Sequence, residues 1–352
     1  MKFQTLFINF AAEFKFVNMK RFNLATLIIM VLSLFTSCTD KPVQQSKDRS
    51  VGGSSEILFV TQNEEQWNGA LGEAVRGYFE VEQYGLPQAE RTFKVANINA
   101  AALNDMFKKH RNLLIAEINP ELPNPIIESE DDWMAAPQYV MKIKAKDAET
   151  WIKVFDSQKD KLKEIFDSNE RERLLNFYRP NANTDAMNAV SKNFGFTMTI
   201  PKDFCVAVDR NRYMSITKDA ETKELIMNLI IYELPYRSES DLSETRLVQV
   251  RDSVVGKYIS GPVDGSYMIT DLEFVKPAFK TLPDFPAGYA VEMRGMWNMA
   301  NEFMAGPFVS YTIVNPAHNK LITVEGFVYY PNKEKRDYLR QLESIIYSIK
   351  FN

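Results

Sequence analysis

The chain has 352 residues, of which 45% are hydrophobic and 25% charged, a balance typical of globular proteins and a length that suits about two domains. A formal net charge of -4 argues against a general nucleic-acid-binding protein, which needs a basic face to neutralise phosphates. With two cysteines and two histidines, a disulfide-stapled fold is excluded and few side chains remain for metal or nucleophilic chemistry. We therefore predict no metal, no other cofactor and no nucleic-acid partner.

The first predicted element is a secretory signal. Lys20 and Arg21 precede an uncharged, mainly apolar run, FNLATLIIMVLSLF, at residues 22–35. About 14 residues at ~1.5 Å each span roughly 21 Å, which is short of the ~30 Å hydrocarbon core and favours a signal peptide over a permanent transmembrane helix. Small residues then lead to Cys38 and a polar stretch. This arrangement resembles a bacterial lipoprotein signal, in which the cysteine thiol is joined to diacylglycerol and the cysteine becomes the new N-terminus.

Cys38 is thus the predicted lipidation site, carrying fatty acyl chains such as palmitate, and the membrane is the partner reached through it. A cleaved, soluble secreted protein and an uncleaved anchor are the alternatives. Residues 1–37 form the predicted signal peptide, and because Glu13 is unusual ahead of such a signal, we expect translation to start at Met19. The polar, glycine- and serine-containing residues 38–55 indicate a flexible tether. No extended acidic run follows the cysteine, so we expect an outer-membrane protein whose body faces the periplasm.

The first folded region, residues 56–192, alternates strands and helices. Apolar residues spaced by four predict an amphipathic helix with Asn63 as its N-cap. Asp147 is the predicted N-cap of a long helix that continues to Phe177, with an interruption at 167–169. The runs EILFVT, FKVANI, NLLIAEI and QYVMKIKA predict strands, and NPELPNPIIESEDDW predicts a loop. The region is predicted to be an α+β layer.

The second region, residues 193–352, is predicted to form a largely antiparallel sheet packed by helices. Strand-like runs separated by turn residues occur along it. Two runs with helical spacing interrupt them, DLSETRLVQVRDSVVGKYI and KEKRDYLRQLESIIYSI. Such a sheet buries one face under its helices. The predicted fold class is therefore α+β, with two α/β-sandwich-like regions.

Four residues are candidates for ligand binding, because guanidinium groups and aromatic faces recognise anionic or sugar-like ligands. They are Arg111, Trp133, Arg294 and Trp297. Core and strand packing is the alternative for Arg294 and the tryptophans, and a surface or capping position for Arg111. No catalytic residue is assigned, since nucleophile-elbow, zinc-protease, Walker A and dinucleotide-binding patterns are absent from the sequence.

Cysteine and histidine residues supply a second set of candidates. Cys205 lies in an alternating run and is interpreted as a buried structural thiol, with a thiol nucleophile as the alternative. His110 could act as a base, but a loop histidine is the simpler interpretation, and His318 lies in a predicted turn. The acidic residues of 128–132 lack the glycine and the spacing of a calcium-binding loop and are interpreted as a solvated segment.

Six short motifs are distinctive as a set. They are W-x-G-x-L-G at 67–72, LPQ-x-E at 86–90, HRNLLI at 110–115, RG-x-W at 294–297, GPFVS at 306–310 and GFVYYP at 326–331. Together they resemble the DUF4837 family of lipoproteins from Bacteroidetes, over roughly residues 56–350. The family's name records a domain of unknown function, so the resemblance implies secretion and assigns no catalytic residue. FTMTIP, followed by strands and a closing helix, looks like the Mog1/PsbP-like α/β sandwich at the level of the fold.

The expected function is that of a membrane-anchored cell-envelope lipoprotein that binds a small ligand or an envelope protein without catalysis. The alternative is an envelope hydrolase that uses carboxylates or a Cys/His pair. A structural component of an envelope assembly is a third reading. The sequence identifies neither a ligand nor a substrate.

Overall fold

The computed structural model describes residues 47–352 with the exception of 220, 221 and 223. The predicted signal peptide, Cys38 and the first part of the predicted tether lie outside the described residues. Residues 47–352 cluster into one unit. Within the part of the chain that the structure describes, no helix combines the length and the apolar character needed to cross a membrane.

A five-stranded sheet forms the basis of the N-terminal region. The first seven strands are β1 (Asp48–Arg49), β2 (Glu56–Thr61), β3 (Lys94–Asn99), β4 (Asn112–Ile118), β5 (Ile126–Asp131), β6 (Ala135–Ala136) and β7 (Tyr139–Ala145). The order across the sheet is β3–β2–β4–β7–β5, and every neighbouring pair is parallel except β5 with β7. The prediction of a loop at β5 was wrong. All six of its side chains are exposed, so this edge strand has no apolar periodicity for the sequence to show.

Helices cover one face of this sheet. They are α1 (Glu64–Asn68), α2 (Ala70–Phe79) and α4 (Ala148–Tyr178), while the short α3 (Asp105–Lys108) follows β3. The predicted N-caps are confirmed, because Asn63 accepts a hydrogen bond from the amide of Gln66 and Asp147 accepts one from the amide of Thr150. Aromatic side chains of α2 and α4, including Phe79 and Phe155, pack against the sheet in a fully buried core.

Helix α4 runs for 31 residues without the interruption predicted at 167–169. The side chain of Asp167 does not compete for the helix backbone, since it pairs with the side chains of Lys163 and Arg340. Tertiary partners therefore allow the helix to continue through a segment that looks like a stop in the sequence.

An eight-stranded antiparallel sheet forms the C-terminal region. The strands from β8 onward are β8 (Phe196–Thr197), β9 (Phe204–Arg210), β10 (Tyr213–Lys218), β11 (Ile226–Pro235), β12 (Tyr267–Thr270), β13 (Ala278–Phe285), β14 (Gly288–Ala300), β15 (Glu302–Asn315), β16 (Lys320–Tyr329) and β17 (Lys350–Phe351). The main sheet has the order β12–β14–β15–β16–β11–β10–β9, with β13 also paired to β14. Strands β8 and β17 form a separate antiparallel pair. The predicted α+β class is confirmed.

Helices pack on both faces of this sheet. They are α5 (Thr184–Phe194), α6 (Glu244–Tyr258) and α7 (Arg336–Tyr347). Helices α5 and α7 contribute to one core and α6 to another on the opposite face. The structure therefore differs from the expectation of one covered face. It also places α5 with the C-terminal sheet, whereas the sequence assigned residues 184–192 to the first region.

Residues 47–55 lie against the N-terminal region rather than extending freely as the last part of the predicted tether. Strand β1 pairs in parallel with β6, and Val51 forms an isolated bridge with His110. Ser55 is fully buried. Backbone pairing therefore fixes this part of the chain in spite of its polar composition.

Candidate functional site

A cleft of about 600 Å³ lies between the N-terminal region and the C-terminal sheet. One face of α4, the second half of α7 and parts of β13, β14 and β15 form its walls. This volume falls in the range of roughly 300–1,000 Å³ that is typical of small-molecule sites, which often occur between domains. The cleft is therefore the candidate binding site.

The two helices place polar side chains in the cleft by regular spacing. On α4, Lys163, Asp167 and Arg171 are four residues apart, so all three lie on one face. On α7, Arg340 and Tyr347 are separated by two turns and likewise face the cleft. The opposite face of each helix supplies apolar residues to a core, and this amphipathic pattern fixes which side chains line the cleft.

Ion pairs hold most of these charges in place. Asp167 accepts from Arg340 Nη1 at 2.9 Å and from Lys163 Nζ at 2.7 Å. On the C-terminal sheet, Arg294 pairs with Glu343 of α7 and donates from Nε to Glu292 at 3.1 Å. The cleft thus has paired charges on both walls, and one of these pairs, Asp167 with Arg340, joins the two regions.

The charged state of the cleft is stable around neutral pH. Burial raises the pKa of Asp167, but Arg340 and Lys163 more than offset this and hold the pKa at about 2. Burial also raises the pKa of Glu343, yet Arg294 and Arg340 keep that pKa below its ordinary value. Burial raises the pKa of Tyr347 to about 12. The site therefore presents ionised carboxylates that accept hydrogen bonds and a protonated phenol that donates them.

Aromatic rings form the remaining wall. The rings of Phe285 and Tyr311 are stacked with centroids 5.4 Å apart, and Tyr347 meets both edge-on. The guanidinium of Arg171 lies 4.0 Å from the centroid of the Tyr347 ring. No ion pair or hydrogen bond links Arg171 to another described residue, so its donors are available to a ligand in the cleft.

The structure separates two of the predicted binding residues that are close in sequence. Arg294 lines the cleft, but Trp297, three positions along β14, points to the opposite face because side chains alternate along a strand. Trp297 is 1% exposed and packs edge-on against Phe327 in the core beneath α6. This packing agrees with the alternative interpretation, in which Trp297 is a core residue and does not bind a ligand.

Arg111 belongs to a polar network within the N-terminal region. Its Nη1 donates to Glu170 at 3.1 Å, and Glu170 also accepts from Arg173 at 2.7 Å and from Asn112 at 3.1 Å. Burial lowers the pKa of Arg173 to about 10, although Glu170 opposes this. These bonds tie the start of β4 to α4, so Arg111 has a structural partner.

Trp133, the fourth predicted binding residue, lies apart from the cleft. It borders a separate groove on the face of the N-terminal sheet that α2 and α4 leave open. Neighbouring acidic residues lie on the exposed strand β5, where Glu128 pairs with Lys144. Among the described residues, no group of acidic, histidine or cysteine side chains could hold a metal ion.

The cysteine and the two histidines do not form a catalytic pair in the described part of the chain. Cys205 is exposed on β9, so its interpretation as a buried thiol was wrong. Strand alternation explains the error, because Phe204 faces the core and its neighbour must face outward. His110 is buried, with Nε2 at 2.8 Å from Glu56 Oε1 and Nδ1 at 3.1 Å from the carbonyl oxygen of Asn112. Neither histidine is hydrogen-bonded to Cys205.

Sequence reasoning missed most of the cleft. The residues that it did not identify are Asp167, Arg171, Phe285, Tyr311, Arg340, Glu343 and Tyr347. The available signal was the three- and four-residue spacing of polar residues on two amphipathic helices, which is also the spacing of an ordinary solvated face. Only the tertiary structure shows that the two faces meet.

Two family models match the chain. Residues 183–348 match DUF4837, a domain of unknown function, and residues 50–179 match DUF8532, also a domain of unknown function. The first match confirms the resemblance that the sequence suggested for the C-terminal region. The motifs between 67 and 115 fall in the second match, so the expected extent of DUF4837 over 56–350 was too large.

Several solved structures are similar to parts of the chain. The Ran-binding protein Mog1p of Saccharomyces cerevisiae is 11% identical over 44% of this chain and 89% of that one, with a TM-score of 0.27. LpqN, described as involved in cell envelope biogenesis of Mycobacterium tuberculosis, is 13% identical over 45% and 83%, with a TM-score of 0.28. A protein of Bacteroides thetaiotaomicron VPI-5482 is 9% identical over 45% of each chain, with a TM-score of 0.21. No curated protein matches the chain.

Proposed function

We propose, from the premise that residues 183–348 form a DUF4837 domain, that the protein is a non-catalytic binding protein of the cell envelope whose ligand occupies the cleft between its two regions. The observation that carries this proposal is the guanidinium of Arg171. It lies over the ring of Tyr347 inside a cleft of about 600 Å³ and forms no ion pair or hydrogen bond with a carboxylate among the described residues. An arginine held over an aromatic ring is positioned in advance for a carboxylate or a phosphate.

The other groups of the cleft define the rest of the ligand. Ionised carboxylates such as Glu343 accept hydrogen bonds, and the phenol of Tyr347 is protonated and can donate one. A hydroxyl group of a ligand can donate a hydrogen bond to a carboxylate and accept one from the phenol. The proposed ligand is therefore a small hydroxylated molecule that carries a carboxylate or a phosphate, which is the anionic or sugar-like class expected from Arg294.

The pKa values of Asp167 and Glu343 argue against either group as the general acid of a hydrolase. A general acid works best when its pKa lies near the working pH. Asp167 has a pKa of about 2 and the pKa of Glu343 is below its ordinary value, so neither carboxyl carries a proton to donate at neutral pH. Binding without catalysis is consistent with this arrangement.

The envelope part of the proposal comes from the N-terminal sequence. We infer that Cys38 is lipidated and anchors the protein to the outer membrane, with the body in the periplasm. The charged and apolar segments before Cys38, and the polar residues after it, support this inference. The described body begins at Lys47, nine residues beyond the proposed anchor.

Calorimetric titration of the purified protein with citrate and with glucose 6-phosphate tests the cleft. Both probes combine hydroxyl groups with anionic groups. We expect Arg171→Gln to weaken binding by about 10- to 100-fold, because a hydrogen-bonded charge partner of the ligand is removed. Arg171→Lys should retain part of the affinity, since the positive charge remains.

Lys161→Gln provides the matched control, because Lys161 is an exposed cation of the same helix and forms no ion pair with any residue that the structure describes. Its affinity should equal that of the wild type. Equal affinity of Arg171→Gln and the wild type would contradict the assignment of Arg171. No heat of binding by either probe up to about 10 mM would contradict the proposed ligand class.

A further inference from the structure

The N-terminal sheet has a groove of about 540 Å³ on the face opposite α2 and α4. Its floor is mainly apolar, with Val60, Leu103, Ile115 and Val140, and Trp133 borders it. The floor residues continue into a small buried core that includes Leu58 and Leu113. The groove is therefore an apolar surface that the described chain leaves partly uncovered.

Topology explains why the groove is open. The connection from β3 to β4 contains only one turn at Ala100–Ala102 and the four-residue helix α3, which are too short to cover the sheet as α4 does on the other face. The connection from β2 to β3 and the connection from β3 to β4 also run in opposite directions across the sheet, because β3 and β4 lie on opposite sides of β2. Ligands of parallel sheets bind at such a switch point, near the carboxyl ends of the strands.

The rim of the groove does not favour an anionic occupant. Lys142 pairs with Glu117, and Lys144, close to the rim, pairs with Glu128. Glu130 on the same rim has no ion pair among the described residues. No cation in this part of the groove is free for a phosphate or a carboxylate, so the floor and rim together suit an uncharged apolar chain.

The described polypeptide begins next to the residue that precedes Trp133 at the border of this groove. The amino group of Lys47 donates to the carbonyl oxygen of Asp132, the residue immediately before Trp133. Strand β1 then pairs with β6, which begins two residues after Trp133. Lys47, the first described residue, therefore lies beside the aromatic border of the groove.

We propose that an acyl chain attached to Cys38 lies in this groove when the protein is outside a bilayer. This inference rests on the lipid anchor of the proposed function. Nine residue steps separate Cys38 from Lys47 and span at most about 30 Å, so the lipid can reach the groove from its own chain. Burial of methylene groups on the apolar floor removes them from water, which is the driving force for the contact.

Photo-crosslinking of the lipid to the protein tests the proposal. The full chain is produced in bacteria that incorporate a fatty acid with a diazirine in its middle, then purified and irradiated in aqueous buffer after removal of detergent. We expect the crosslinked acyl chain on peptides that contain Leu103, Ile115 or Trp133. Ala100→Glu and Leu103→Glu place a charge on the groove and should each reduce the yield on these peptides by about 10-fold.

Leu272→Glu is the matched control, because it introduces the same charge at a leucine that is 52% exposed and outside the groove. It should leave the yield unchanged. Ala100 is also exposed, so Ala100→Glu should fold even where Leu103→Glu does not. Circular dichroism and thermal unfolding of each variant verify folding.

The outcomes separate this inference from the anchor on which it rests. Mass spectrometry of the peptide that contains Cys38 shows whether it is lipidated, and an unmodified cysteine would contradict the anchor and the groove together. A lipidated Cys38 with crosslinks distributed over other surfaces would refute the groove alone. Crosslinks between differently isotope-labelled copies would show that the groove takes a neighbour's acyl chain, which also contradicts binding within one chain.

Discussion

Arg251 and Glu325 form an ion pair with no exposure to solvent between α6 and the C-terminal sheet. Arg251 donates to the two carboxylate oxygens at 2.8 to 3.1 Å and to Thr270 Oγ1 at 2.8 Å. Its guanidinium also lies 3.8 Å from the centroid of the Phe308 ring. Burial raises the pKa of Glu325 even though Arg251 opposes the shift, so the carboxylate depends on this arginine to remain ionised.

We predict that Arg251→Met lowers the free energy of unfolding by about 3–5 kcal/mol at pH 8, because it leaves a buried carboxylate without a partner. Loss of the arginine should raise the folded-state pKa of Glu325 further. A carboxyl group with a raised folded-state pKa favours folding when it is protonated. The loss of stability caused by Arg251→Met should therefore become smaller as the pH falls and larger as the pH rises. Urea denaturation at pH 5 and pH 8 measures both effects.

The double variant Arg251→Met/Glu325→Leu is the control for this prediction. It removes both charges and should be more stable than Arg251→Met alone, with little dependence on pH in this range. A double variant that is as unstable as the single one would show that shape and hydrogen bonds, rather than the unpaired charge, determine the loss.

Helix caps and apolar periodicity allowed most elements to be predicted. Asn63 and Asp147 begin helices because their side chains accept backbone hydrogen bonds, which is a local property that the sequence shows. Strand β5 has no such signal, because its side chains are all exposed and only pairing with β7 holds it. The exposure of Cys205 was also not predictable from alternation alone, since alternation does not show which set of side chains faces the core.

The packing of α7 on β16 leads to a prediction at a glycine. A Cβ atom at Gly326 would lie 2.7 Å from Leu342 Cβ, which is closer than two non-bonded carbon atoms normally approach. We expect Gly326→Ala to lower the free energy of unfolding by about 1–3 kcal/mol, because α7 must move away from the strand. Chemical denaturation measures the change.

Gly77 on α2 offers the same substitution in open space. No atom lies within 4 Å of a Cβ atom built there, and alanine is a better helix former than glycine. Gly77→Ala should therefore raise the free energy of unfolding by up to about 1 kcal/mol. A loss of stability in both variants would mean that the cost at Gly326 does not come from the contact with Leu342.

Polar contacts join the two regions of the molecule. Besides the pair of Asp167 with Arg340, the carboxylate of Glu90 accepts from the amides of Lys335 and Arg336 at 2.7 and 2.8 Å, at the start of α7. These partners are 173 to 246 residues apart in the chain. The spacing of residues along the sequence does not predict which residues form such distant contacts. The sequence identified Arg294 by its type, while the rest of the cleft depends on the docking of α4 beside α7.

The ion pair of Asp167 with Arg340 leads to a prediction about the stability of the protein at low pH. The pKa of Asp167 is about 2 in the folded state and ordinarily 3.8, so the stabilisation is present above pH 4 and is lost as the pH falls towards 2. We expect this group to contribute about 2 kcal/mol of acid-dependent stability. Asp167→Asn should have a shallower loss of stability between pH 4 and pH 2 than the wild type, as measured by urea denaturation.

Asp264→Asn is the comparison variant, because Asp264 is exposed and forms no ion pair among the described residues. Its acid-dependent loss should equal that of the wild type. If Asp167→Asn also followed the wild-type curve, the ion pair with Arg340 would not be a source of the acid sensitivity.

The short pairing of β1 with β6 has a mechanical consequence. A pulling force that reaches the body from the N-terminal side first meets two residue pairs, Asp48 with Ala135 and Arg49 with Ala136. The ion pair of Asp48 with Lys109 at 2.5 Å reinforces them. The bridge of Val51 with His110 is the next contact before β2. Since so few contacts are loaded first, residues 47–51 should peel away under tension and lengthen the connection by about 15 Å, while the five-stranded sheet keeps its register.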